Sequence, residues 1–90
     1  MQQQLTKKHI KILNALANVV NRKRELTAKS QRLTADEYGL HSSLLSRIES
    51  AKNEPKLFSL WGVAEALDLK LSELFALIEQ ELPEDFRLLD

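Results

Sequence analysis

Gly39-Leu40-His41-Ser42-Ser43-Leu44-Leu45-Ser46-Arg47-Ile48-Glu49-Ser50 is the stretch whose reading decides the fold. Gly39 supplies the backbone freedom of a sharp turn, and the residues after it fit one short helix with two unlike faces. Leu45 and Ile48, with Leu44 beside them, can anchor that helix. Ser42, Ser43, Ser46 and Arg47 carry short polar groups and one guanidinium away from the anchor. His41 or Ser42 is the expected cap.

Upstream, Ser30 can cap a second helix running from Gln31 to about Tyr38, which Gly39 then ends. Leu33 stands where a capping box would want Glu or Gln, so the reciprocal half of that box is missing. Further back, from Leu5 to about Glu25, Ile12, Leu16, Val19 and Leu26 recur at helical spacing with Leu13 and Val20 alongside, and no Gly or Pro intervenes. That pattern predicts one long amphipathic first helix. Lys7 and Lys8 sit in its opening turn, where the helix dipole disfavours cations; a ligand or a fraying end would each account for them.

Downstream, Ala51-Lys52-Asn53-Glu54-Pro55 is a polar break that Pro55 enforces. Leu57, Leu60, Trp61, Ala64 and Leu67 then give a fourth helix with an apolar stripe. After Asp68-Leu69-Lys70, a fifth runs from about Leu71 to Glu81 with Leu71, Leu74, Phe75 and Ile78 inward. Pro83 ends it, and a short tail runs from Glu84 to Asp90. The expected fold class is therefore all-α: five helices in a single domain of residues 1–90, with an extended first helix.

Composition bounds the function. Ninety residues, 43% hydrophobic and 29% charged, make one compact domain with no room for a second core. The chain has no cysteine, and His9 and His41 stand too far apart to form an obvious ligand pair, so neither a metal nor another cofactor is expected. No stretch resembles a signal peptide or reaches membrane-spanning length, which predicts a cytoplasmic protein without membrane contact. With Gly39 and Gly62 as the sole glycines there is no phosphate-cradling loop, and no nucleophile–histidine–acid series or carboxylate pair stands out. The chain is read as a non-enzyme. Phe58 and Trp61 are read as core rather than as a ligand box.

The formal net charge of zero hides a strong asymmetry. Residues 1–56 hold eleven Lys and Arg against five acids, whereas residues 57–90 hold two against eight. A basic N-terminal part can gather on a polyanion while the acidic end faces away or meets a partner.

From about Leu16 to Phe75 the chain resembles the helix-turn-helix domain of the phage repressor and Cro group, often called XRE-like. The matching residues are Ser30-Gln31, Ala35, Gly39-Leu40, Ser46-Arg47-Ile48-Glu49, Asn53-Glu54-Pro55, Ala64-Glu65-Ala66-Leu67 and Leu71-Ser72-Glu73-Leu74-Phe75. Residues 1–15 extend the first helix beyond this core, and residues 76–90 hold the end of the last helix and the tail. The resemblance implies sequence-specific binding of double-stranded DNA by a transcriptional regulator, a repressor, in a prokaryotic or phage cytoplasm at the nucleoid. The chain departs from the family pattern at Lys29, Leu33, Thr34 and Ser50-Ala51.

The residues present suit that role. Ser42 and Ser43 are small donors and acceptors able to reach base edges, and Arg47, one turn beyond Ser43, can bond bidentately to guanine. These three form the expected base-reading set. The resemblance places a phosphate grip on Gln31; Arg32 adds charge beside it, Lys52 and Asn53 clamp the far side, and His41 at the turn touches the backbone or serves as a cap. It also turns Glu49 inward onto Arg24 as a structural ion pair. The extra apolar surface at both ends predicts a homodimer through the last helix and tail on a palindromic operator, or a tail folded back on its own core. A rival reading is the antitoxin half of a toxin–antitoxin pair, or another module binding a protein partner besides its own promoter. A second is a helical adaptor that has lost DNA binding.

Overall fold

The long helix α1, Lys7–Leu26, packs against α3, Leu44–Glu49, and α5, Leu71–Gln80, while α2, Gln31–Glu37, rests on α3, and α4, Leu57–Ala66, rests on α5. This computed structural model describes residues 6–89, among which there is no strand. The expected helix start at Leu5 lies outside the described residues. Thr6 opens α1 instead: its Oγ1 accepts from the His9 N–H at 3.2 Å while His9 Nδ1 accepts from the Thr6 N–H at 3.1 Å. Two otherwise orphaned donors are thereby satisfied, with His where a capping box usually has Glu or Gln.

The core forms where the stripes of four helices meet. Leu16, Val19 and Val20 of α1 pack with Leu44, Leu45 and Ile48 of α3, with Leu60, Val63 and Ala64 of α4, and with Leu74 and Ile78 of α5. Leu45 and Leu74 have no accessible surface, so truncating either to Ala would cost about 2–5 kcal/mol. Leu26, expected on the stripe of α1, is 76% exposed because it ends the helix beyond the reach of the core.

The second helix keeps the register that its unusual residues require. The Ser30 hydroxyl caps it by accepting from the Leu33 N–H at 3.1 Å. Thr34 is buried, and its hydroxyl is satisfied by donating to the Ser30 carbonyl at 2.9 Å, which lets a polar residue replace an aliphatic one. Leu33 remains on the outside. Gly39 then takes a left-handed φ of 67°, and the Leu40 N–H returns to the Ala35 carbonyl at 2.9 Å.

The fourth helix faces the core differently from the expectation. Leu60, Val63, Ala64, Ala66 and the next residue, Leu67, are buried, whereas Leu57, Phe58 and Trp61 are exposed. Phe58 and Trp61 are therefore not core residues, and Phe75 on α5 is also largely outside. The cause is the side that α4 turns to the core. A Cβ on Gly62 would lie 3.1 Å from the Leu40 side chain, so α4 passes close to the turn at Gly62, while Leu60, Val63, Ala64 and Leu67 form its buried side.

Beyond α5 the chain turns back along the first helix. Arg22 on α1 pairs with Glu81 at 3.1 Å, Leu82 packs against the core, and Leu88 shares a small pocket with His9, Ile12 and Leu13. The extra length of α1 thus has a partner within the same chain. Leu89 still exposes 74% of its surface.

Candidate nucleic-acid interface

Three buried leucine and isoleucine side chains fix α3 and determine which of its residues face solvent. Leu44, Leu45 and Ile48 point into the core, leaving Ser46 and Arg47 exposed. The helix is shorter than the sequence implies: its N-cap is Ser43, not His41 or Ser42, and Ser43 makes no capping bond with its side chain. His41 organises the turn instead. Its Nδ1 accepts from the Ser43 N–H at 3.2 Å and lies 2.9 Å from Ser43 Oγ. Local hydrogen bonding of this kind holds a turn that no side-chain cap closes.

Ser42 and Ser43 consequently lie in the turn leading into α3. Ser42 is exposed and Ser43 half-buried. The Arg47 N–H donates to the Ser43 carbonyl at 3.0 Å, so Ser43 and Arg47 are one helical turn apart on one side of the element. This leaves an exposed edge of two hydroxyls and a guanidinium.

The far end of α3 is secured by charge. Arg24 Nε donates to Glu49 Oε2 at 2.8 Å and Arg24 Nη2 to Glu49 Oε1 at 3.1 Å. Their side chains retain only 13% and 6% of their exposure. Asn21 Nδ2 donates to the same Glu49 Oε1 at 2.8 Å, and Arg24 Nη1 donates to the Lys29 carbonyl at 2.7 Å. Burial pushes the Glu49 carboxyl up, but hydrogen bonds from Arg24, Asn21 and Gln31, together with the Arg24 charge, hold it below its ordinary value. The hydrogen bond to Glu49 correspondingly raises Arg24. A bidentate guanidinium–carboxylate pair with a further amide donor ties α1 to the end of α3 and turns the acid away from the exposed edge.

The remaining expected contacts are distributed around this edge. Gln31, half-buried at the start of α2, helps to hold the Glu49 carboxyl below its ordinary value, and Arg32 beside it is exposed. Lys52 and Asn53 are exposed in the loop after α3. A notch of about 340 Å³ brings Arg47 and Asn53 together with Lys56 and Ser59, while Lys52 is not part of its lining. Lys56 was missed by the sequence reading, although its place directly after Pro55 put a cation at the mouth of α4. Asn21 was missed as well, because an asparagine within a long helix gives no sign of the acid it will meet.

Among the described residues no cluster of His, Cys, Asp and Glu could hold a metal ion, and no helix is long and apolar enough to cross a membrane. Comparisons with curated proteins and with solved structures found no match. A model of the helix-turn-helix family matches residues 20–74, which is more than half of the chain and takes in the two short helices, the Gly39 turn, α4 and the first turn of α5. Sequence and geometry agree, and the chain belongs to the XRE-like helix-turn-helix family of DNA-binding regulators.

Proposed function

We propose that the protein is a repressor that occupies a palindromic operator as a homodimer, with α3 of each protomer in the major groove. The observation that carries this reading is the exposure of Ser42 and Arg47, with half-buried Ser43 at the N-cap, around a short helix whose other side is buried by Leu44, Leu45 and Ile48. Ser42 and Ser43 are small enough to let the backbone approach the base edges, and Arg47 presents a fork suited to guanine. Arg32, Lys52 and Asn53 flank the edge as phosphate contacts. Gln31, at the start of α2, has amide donors that can reach a phosphate as well as Glu49. His41, engaged with Ser43 through Nδ1, can offer its other ring nitrogen to the sugar–phosphate backbone.

Dimerisation supplies what one short reading edge lacks. Three reading residues distinguish only a few base pairs, and two protomers on half-sites about one helical turn apart double the sequence read. The outward atoms of Leu88 and Leu89, beside the first turns of α1, are available for a second copy even though the tail lies along that helix. Selection from a random duplex library at two salt concentrations tests the reading. A two-fold symmetric consensus and steep weakening with salt are expected, and no enriched sequence would overturn it.

A further inference from the structure

The α4–α5 side of the molecule carries an aromatic surface that the DNA reading does not use. Phe58, Trp61 and Phe75 expose 83%, 47% and 42% of their surface. Phe58 and Trp61 are three residues apart on α4 and share a face, and Trp61 meets Phe75 across a groove of about 920 Å³ floored by Leu69 and Leu71. Because an aromatic side chain buries roughly 150–250 Å² when covered, these three rings leave on the order of 400 Å² open. That lies within the range of the largest apolar patch on an ordinary monomer, a kind of patch that is often functional. No residue of α3 lines it.

The charges around the groove determine what fits. Glu65, Asp68 and Glu73 stand on its rim with Lys70 as the single cation. They belong to residues 57–90, which hold eight acids and two bases. Nucleic acid and anionic lipid are repelled by such a rim. A second copy docking by two-fold symmetry would set the same acids against themselves, because an isologous interface pairs one patch with its own image. A cationic amphipathic segment meets both requirements: its apolar side covers the rings, its Lys or Arg side chains reach the acids, and one of them can lie over the Trp61 face.

We propose that this groove is the docking site for a basic, amphipathic helical segment of another protein. Trp61 is the single tryptophan of the chain, so its emission reports directly on the groove. The probe is a synthetic amphipathic peptide with Leu on one face and Lys on the other, compared with a twin carrying Glu in place of Lys, both titrated into the whole 90-residue chain. The Lys peptide should shift Trp61 emission to the blue and saturate, and the Glu twin should not. Phe75→Ala and the double variant Glu65→Gln, Glu73→Gln should each weaken binding about tenfold or more, whereas Glu84→Gln, outside the groove, should leave it unchanged. The proposal is overturned by the absence of a shift, by an equal shift with the Glu twin, or by unchanged affinity in the groove variants. A blue shift produced by raising protein concentration alone would also overturn it, by making a second copy the occupant. DNA selection is read separately, so its failure and this one remain distinct.

Discussion

Arg24 and Glu49, twenty-five positions apart, are joined by two hydrogen bonds of 2.8 and 3.1 Å that fasten the first helix to the last residue of α3. Asn21 completes the arrangement from one turn earlier on α1. An element of six residues cannot hold itself as an isolated helix, so its orientation comes from this pair at one end and three buried apolar side chains along its length. Removing one partner leaves the other charged and short of bonds. Glu49→Gln should therefore destabilise the domain by roughly 3–5 kcal/mol, measured by urea denaturation. An unchanged midpoint would mean that α3 is held by its apolar side alone.

The same carboxylate makes stability depend on pH. Glu49 lies below its ordinary value in the folded state, so its contribution is fully present above the unfolded value of about 4.5 and is lost as pH falls through the lower folded value. Thermal stability should decline on acidification below about pH 5, and the decline should be shallower in Glu49→Gln. Parallel profiles for the two proteins would assign the acid sensitivity to other carboxylates.

Ala51, directly after the turn that ends α3, has a φ of 58°. A left-handed conformation costs a residue with a Cβ about 1–2 kcal/mol and glycine nothing, although glycine loses more entropy on folding. Ala51→Gly should stabilise the protein by about 1 kcal/mol, seen as a melting temperature raised by a few degrees. A lowered melting temperature would show that the entropy of the unfolded chain outweighs relief of the turn.

The outward position of Phe58 has a direct consequence for stability. Phe58→Ser should change it by no more than about 0.5 kcal/mol, as expected for an exposed residue, whereas a core phenylalanine would cost about 3–5 kcal/mol. Chemical denaturation of this variant separates the two cases without ambiguity.

Periodicity and punctuation made most of the fold readable. Ser30, Gly39, Pro55 and Pro83 bracket helices at places a sequence can mark, because capping, left-handed turns and the missing proline N–H are local effects. The facing of α4 was not readable. Hydrophobicity ranks Phe58 and Trp61 above Ala64, but which side of α4 meets the core is set by its approach to α1, α3 and the Leu40 turn, and that is a tertiary property. Thr6 and His9 show the same limit in a cap, since histidine is not the residue a capping box normally uses. On α3 the outward position of Arg47 followed from the apolar spacing, whereas the place of Ser42 and Ser43 in the preceding turn did not. Nor did the contribution of Asn21 and Gln31 to Glu49, because it depends on side chains that are distant in sequence.

The reading edge itself is tested most directly by comparing Arg47→Ala and Lys52→Ala on the selected operator and its single-base variants, with affinities measured at one fixed salt concentration. Arg47→Ala should relax discrimination at one base pair of each half-site by roughly 1–3 kcal/mol, whereas Lys52→Ala should weaken all sequences alike. If both substitutions lower affinity uniformly and leave base preference intact, Arg47 contacts phosphate and the assignment of base reading to Ser42, Ser43 and Arg47 is contradicted.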